Sequence, residues 1–290
     1  MAEEFVLNNE NYYSKEADEK YMSVHQFLNF VSYMGVRGCE AKAVAMLNGD
    51  FEEKSTDAML IGSYVDSYFE GTIDNFRQEH PELFKKDGTL YAKYDIAEKC
   101  IERIKEDEFF MQMLGFEKNV DGEYVSFGEK QRIMTGYYGG CEWKIKMDSY
   151  IPDVCIVDLK TSSNIHKAWN VDDYGRVSFV EYWAYTLQLA LYQKIVEINT
   201  GKKLPCYIAV VTKEEYPEIE VIGIDQMTLD HALNFIEMNI ASVLMVKTGE
   251  VEPIECGKCN YCKLKKKLTK AIAMADLINE GSDFNEGIYN

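Results

Sequence analysis

"MDSYIPDVCIVDLKTS", residues 147–162, decides how the rest of the chain is read. Pro152-Asp153 marks a turn, and "DVCIVDLKTS" after it has the apolar density of a buried strand. Side chains alternate faces along a strand, so Val154, Ile156, Asp158 and Lys160 share one face and Cys155, Val157 and Leu159 the other. An acid and a base two positions apart are then neighbours. At an exposed strand end they would be an ordinary surface ion pair, worth under ~1 kcal/mol. Asp148 favours a second reading, because it ends the polar face of the preceding strand. If the two strands pair around the 149–153 turn, Asp148 and Asp158 converge at one edge of the sheet. Two carboxylates supply hard oxygen ligands for Mg²⁺. A lysine beside them can hold or help deprotonate an attacking water and stabilise charge on a scissile phosphate. These residue types together suit phosphodiester hydrolysis.

Upstream, "KQRIMTGYYGGCEWKIKMDSY" reads as two strands around Gly139-Gly140, a pair suited to the positive φ angles of a tight hairpin. Cys141, Trp143, Ile145 and Met147 take one face of the second strand, and Glu142, Lys144, Lys146 and Asp148 the other. Downstream, a loop around "NIHKAWNVDDYG" leads to one strong helix, "VEYWAYTLQLALYQKIVEINTG". Two strands follow, "PCYIAVVTK" and "IEVIGI", and then a long helix, "DHALNFIEMNIASVLMVKTG". The first third is helical: "SVHQFLNFVSYMG", "CEAKAVAMLNG" and "STDAMLIGSYVDSYFEG", the last capped by Ser55, precede the charged helical stretch 73–115. A single α/β domain over 1–290 is expected. It comprises an irregular arm at 1–21, a mostly helical region at 22–121, an α/β core at 122–247, and a Cys-rich segment with a terminal helix at 248–290.

The chain has 47% hydrophobic and 13% aromatic residues and only 5 Pro, a globular composition. Its formal net charge is -18, from 31 Lys+Arg against 49 Asp+Glu, so an anionic partner must meet a local basic patch. The opening "MAEEFVLNNENYYSKEADEK" lacks the basic and apolar regions of a secretory signal, and no stretch approaches the ~20 apolar residues of a membrane span. A cytoplasmic protein without a membrane partner is expected. In that setting the 8 Cys read as metal ligands or buried hydrophobes, not as a disulfide framework.

"MDSYIPDVCIVDLKTS" resembles the catalytic hairpin of the PD-(D/E)XK nuclease superfamily, with Asp148 as the first acid and Asp158-Leu159-Lys160 as the (D/E)XK element. "YTLQLALYQ" resembles the Gln-x-x-x-Tyr motif of RecB-type exonucleases, and Gln188 and Tyr192, four apart, share a helix face. The similarity to phage-type, exodeoxyribonuclease VIII-like proteins runs from about residue 23 to 262. It implies a restriction-endonuclease-like fold, a mixed central sheet flanked by helices. It also implies Mg²⁺ or Mn²⁺ as cofactor, DNA as substrate, and a single-strand annealing or recombination protein as partner. Where RecB-type enzymes place a metal-binding His four residues after a Gly, this chain has Gly62 and Asp66, with Glu70 one turn on as the alternate candidate. The implied site has Asp66, Asp148 and Asp158 on metal, Lys160 at the water, and Gln188 and Tyr192 positioning substrate. The rival readings are a non-cleaving nucleic-acid-binding or recombination-accessory protein of the same fold, and a purely structural metal-stapled protein.

"CGKCNYC" places Cys256, Cys259 and Cys262 close enough for several thiolates to meet one metal. Some RecB-type nucleases resemble this arrangement, with one upstream Cys joining three near the C-terminus around a [4Fe-4S] cluster. Cys39 stands where that upstream ligand is expected, although the last spacing here is shorter than in those relatives. Zn²⁺ on the same four thiols, or no metal, are the alternatives. Cys100, Cys141, Cys155 and Cys206 lie in apolar patterns and read as buried hydrophobes. The basic run "KLKKKLTK", with Lys263, Lys265, Lys266, Lys267 and Lys270, is either a solvated helix face or a grip on the phosphate backbone.

Overall fold

The computed structural model describes residues 5–172, 174–269, 271, 273 and 274. Lys270 and most of the expected terminal helix lie outside the described residues. In chain order the first elements are α1 (Lys15–Lys20), α2 (Val24–Phe30), α3 (Glu40–Asn48), α4 (Asp57–Glu70), α5 (Ile73–Glu79), α6 (Ile96–Lys105) and α7 (Glu108–Met113). The central strands and helices are β1 (Phe116–Lys118), β2 (Tyr124–Ser126), β3 (Glu129–Tyr138), β4 (Cys141–Ile151), β5 (Cys155–Ser162), β6 (Trp169–Val171), β7 (Gly175–Val177), α8 (Phe179–Tyr182) and α9 (Tyr185–Thr200). The chain continues through β8 (Cys206–Thr212), β9 (Ile219–Ile224), α10 (Gln226–Lys247) and α11 (Asn260–Lys265).

These elements group into two compact units that interleave along the chain. Among the described residues, the first comprises those within 5–23, 53–165 and 186–234, and the second those within 24–52, 166–185 and 235–274. In the first unit a mixed five-stranded sheet has the order β3-β4-β5-β8-β9. β3, β4 and β5 are antiparallel neighbours, β5 and β8 are parallel, and β9 returns antiparallel to β8. A parallel pair needs a crossover, and α9 supplies it.

The alternation expected for β5 is present. Cys155, Val157 and Leu159 join Ala209 and Val211 of β8 in a core under α4, α6 and α7, with Val65, Ala97, Cys100 and Ile104 fully or almost fully buried. Ile156 and Asp158 are also buried, on the opposite face, where α9 packs. The β3–β4 hairpin turns at Gly139-Gly140 with φ of 61° and 100°, a conformation that a side chain would strain.

Four local expectations change. Thr56, not Ser55, caps α4, its hydroxyl accepting from Met59 N–H. The loop at 169–177 contains the short β6–β7 pair. The helix expected as continuous from 180 is broken into α8 and α9. Ser178 and Glu181 form a capping box that starts α8 as a separate turn, and Ala184 adopts φ 61°, where an L-residue leaves the right-handed helix. Residues 5–14 of the N-terminal arm are irregular, as expected, but 15–20 form α1 and the arm packs against β4. Ala17 is fully buried, and Lys144, only 2% exposed, donates to Tyr12 C=O at 2.5 Å and to Asp18 Oδ1 at 2.6 Å. A buried ammonium must be paired, and the arm is what pairs it.

Among the described residues no helix is long and apolar enough to cross a membrane. Replacing Lys144→Met removes both side-chain hydrogen bonds to the arm. Hydrogen bonds to charged groups are worth roughly 1.5–3 kcal/mol, so the expected result is faster amide exchange and proteolysis at residues 5–20 with a lowered Tm; an unchanged exchange pattern there would contradict it.

Candidate active site

The antiparallel β4–β5 ladder pairs Ile151 with Cys155, Tyr150 with Ile156 and Ser149 with Val157, and there it stops although both strands continue. The next positions are Asp148 and Asp158. In place of a backbone pair, Asp148 Oδ2 accepts the Leu159 N–H at 3.0 Å. A carboxylate therefore satisfies a backbone donor that the sheet leaves unpaired at the strand junction.

Asp158 is 1% exposed. Gln188 Nε2 donates to its Oδ1 at 2.8 Å, and Lys160 Nζ lies 2.5 Å from its Oδ2. Gln188 Nε2 is also 3.1 Å from Tyr192 Oη, whose hydroxyl donates to Lys146 C=O at 3.0 Å. The i, i+4 pair on α9 thus clamps the β5 acid and ties it to β4.

Asp66 reaches the same region from α4. One turn earlier, a Cβ added at Gly62 would lie only 3.0 Å from Thr161 Oγ1 of β5, so the glycine permits close helix–strand approach. Asp66 Oδ1 is sealed from solvent and has no hydrogen-bond partner. Burial, and then the negative charge of Asp148, push its carboxyl well above the usual range. Glu70 is also raised, by burial and by Asp148, but its Oε1 accepts from Gln131 Nε2 at 2.6 Å and its Oε2 from Thr72 Oγ1 at 3.2 Å. Asp66, Glu70, Lys130 and Asp148 line a recess with Phe69, Leu114 and Leu159.

All six side chains read from the sequence, Asp66, Asp148, Asp158, Lys160, Gln188 and Tyr192, therefore fall in the first unit around the β4–β5 junction. Three further neighbours were not anticipated. Gln131 has φ 49° and sits across from Asp148 on β3, between the pairs Lys130–Ser149 and Arg132–Met147. Its position follows from the Gly139-Gly140 turn, since a two-residue hairpin sets the register of everything behind it. Lys130 stacks 4.0 Å over the Phe116 ring, and burial pulls its ammonium down to about 8, with Asp148 opposing. Lys146 is likewise lowered by burial, with Glu70 and Asp148 opposing. Strand periodicity marks Lys146 as a polar-face residue, while the register sets Lys130 opposite Ser149 on the other face, and neither position carries a sign of desolvation in the sequence.

The donor set suits a hard divalent cation. Several carboxylates repel one another in a sealed setting, Asp66 retains an unpartnered oxygen, and oxygen ligands match Mg²⁺ or Mn²⁺. A different set lies in the second unit, where the ligand atoms of Cys39, Cys256, Cys259 and Cys262 all fall within 4.8 Å of one another and could hold a metal ion. Among the described residues no group of carboxylates gathers its oxygens as closely, and the Lys160 ammonium lies against Asp158.

A mixed sheet whose antiparallel hairpin carries an acid on each strand, a lysine two residues on and a Gln-x-x-x-Tyr helix behind it defines a PD-(D/E)XK nuclease fold. Residues 23–265 match the model of a family described as a PDDEXK-like domain of unknown function (DUF3799), and the chain belongs to that family. It is similar, at 45% identity and a TM-score of 0.87, to a crystal structure from Eubacterium rectale described as a "Putative exonuclease"; the match covers 94% of this chain and 98% of that one. A second solved structure, SSO0001, matches at 14% identity and a TM-score of 0.29 over 86% of this chain and 98% of its own, too low to bear on the argument. No curated protein is significantly similar in sequence.

Burial raises Asp158 to about 7, Lys160 opposing and Asp148 assisting. An acid raised on folding stabilises the protein below its unfolded pKa of about 4, and that contribution is lost as pH rises through the folded value. Asp158→Asn keeps the neutral form at all pH. In EDTA its Tm relative to wild type should increase between pH 5 and pH 8 by scanning calorimetry, and parallel pH profiles would count against desolvation of Asp158.

Proposed function

We propose that the protein is a divalent-metal-dependent DNA exonuclease of the RecB-like, exodeoxyribonuclease VIII-like branch. The observation that carries this reading is the meeting of Asp66, Asp148, Asp158 and Lys160 where the β4–β5 ladder ends. The family membership supports phosphodiester hydrolysis, and the name of the 45%-identical structure supports an exonuclease.

In this reading Asp66, Asp148 and Asp158 hold Mg²⁺ or Mn²⁺, and Asp66 is preferred to Glu70 because its Oδ1 is unengaged while both Glu70 oxygens are bonded. The bound cation supplies Lewis-acid polarisation of a phosphoryl oxygen. Lys160, with a side chain 20% exposed, reaches both Asp158 and solvent. Its Nζ orients the attacking water and stabilises the charge that develops on the phosphate oxygens. Gln188 and Tyr192 hold Asp158 in one rotamer, a positioning role. Lys130 and Lys146, both close to Asp148, add positive charge where a DNA backbone carries negative charge. Lys263, Lys265, Lys266 and Lys267 are exposed and offer a separate phosphate-binding run. A role in phage or prophage recombination, beside a single-strand annealing partner in the cytoplasm, rests on the family resemblance alone.

End-labelled linear and covalently closed duplex DNA, each with Mg²⁺ or EDTA, test the proposal. Wild type should degrade only the linear substrate and only with Mg²⁺, and Lys160→Ala should lower the rate by at least about 100-fold, the scale of one lost charge-stabilising group. Cleavage of neither substrate, or equal rates for the variant, would sink the reading; cleavage of the closed circle would replace an exonuclease with an endonuclease.

A further inference from the structure

The cysteine quartet of the second unit takes no part in the nuclease chemistry and can be read independently of it. Its geometry carries information about which metal it holds. Cys39 Sγ is 3.7 Å from Cys262 Sγ, Cys256 Sγ is 3.9 Å from Cys262 Sγ, and all four sulfurs lie within 4.8 Å of one another. A tetrahedral ZnS₄ centre with Zn–S bonds of about 2.3 Å has S···S edges of about 3.8 Å. In a [4Fe-4S] cubane each thiolate binds a different iron, so iron–iron separations add to the bond lengths and the sulfurs stand roughly 6 Å apart. The cluster implied by the family resemblance does not fit this cradle. A pair of disulfides does not fit either, since bonded sulfurs approach to about 2.05 Å.

We propose that Cys39, Cys256, Cys259 and Cys262 form a closed mononuclear tetrahedral site for Zn²⁺ that ties α3 to the C-terminal segment. The turn carrying the first two C-terminal ligands is built to hold thiolates. Gly257 takes φ 72°, and the backbone N–H groups of Lys258 and Cys259 point at Cys256 Sγ at 3.5 and 3.3 Å. Cys262 N–H points at Cys259 Sγ at 3.5 Å. These amide dipoles stabilise negative sulfur before any metal arrives.

The fourth ligand comes from far away in the chain but is held in register. Cys39 precedes α3, and its N–H donates to Asn29 C=O at 2.8 Å. Beside it, Ala41 N–H donates to Ile254 C=O at 3.2 Å while Ile254 N–H donates to Glu40 Oε2 at 2.9 Å. Ala41 and Ala45 of α3 pack with Tyr261 in the same small core, where Phe51 meets the Tyr261 ring at 5.5 Å. Cys39 and Cys262 are buried. Four protein ligands with no open position make the site structural, and zinc in such a site contributes directly to folding.

Full-length protein purified anaerobically without chelator tests this by elemental analysis. About one zinc per chain is expected, with negligible iron and no broad visible absorption. Exchange of the metal for Co²⁺ should produce the intense visible bands of tetrahedral cobalt thiolate, and Cys39→Ser should weaken and shift them. If that variant does not fold, an organomercurial titration of wild type in the presence of a zinc-binding dye replaces it, with zinc release expected to track the loss of thiols. About four irons per chain, intramolecular disulfides, or thiols that take up no added ZnCl₂ would each overturn the proposal.

Discussion

The structure turns on one interrupted ladder. β4 and β5 pair through Ser149–Val157 and no further, and the Asp148 carboxylate takes the Leu159 N–H that a continuing ladder would have used. That substitution does two things at once. It satisfies a backbone donor at a strand junction, and it commits one acid to the spot where Asp158 and Lys160 emerge from β5. Had the ladder continued, Asp148 and Asp158 would stand as a like-charged cross-strand pair, which is destabilising.

Around that junction the protein holds charges in an arrangement that opposes its own folding. Asp66 and Asp158 are desolvated and repelled by Asp148, while Lys130 and Lys146 are desolvated near it. Such groups persist only because the surrounding packing determines their positions, and sites of this kind are where function concentrates. The rigidity comes from both faces of the sheet. On one side α4 presses onto β5 through Gly62, and on the other Gln188 and Tyr192 anchor Asp158 to the β4 backbone. The strained Gln131, held by Glu70, belongs to the same frame. The second unit uses a different means of fixation, in which amide dipoles and a small apolar core gather four sulfurs from two distant stretches of chain.

Much of the site can be read from local pattern. Period-two alternation puts Asp158 and Lys160 on one strand face, the Gly139-Gly140 turn sets Gln131 opposite Asp148, and a four-residue spacing puts Gln188 and Tyr192 on one side of α9. Other features depend on neighbours that no window of sequence contains. The arm looks irregular until Lys144 is seen to need Tyr12 and Asp18. The helix at 180 looks continuous because Ala184 is a strong helix former, and only its capped, separately packed first turn breaks it.

The sequence by itself determined the five strands of the central sheet, the hairpin, the acid and base types and the four cysteines, because these follow from periodicity, turn chemistry and residue identity. Only the tertiary structure decided that Asp66 keeps a free oxygen while Glu70 does not, that Lys130 sits desolvated beside Asp148, and that the sulfurs stand at the spacing of a single metal ion. Those outcomes depend on burial and on distances of a few ångströms between residues far apart in the chain, and the Coulomb and coordination energies involved change sharply over such distances.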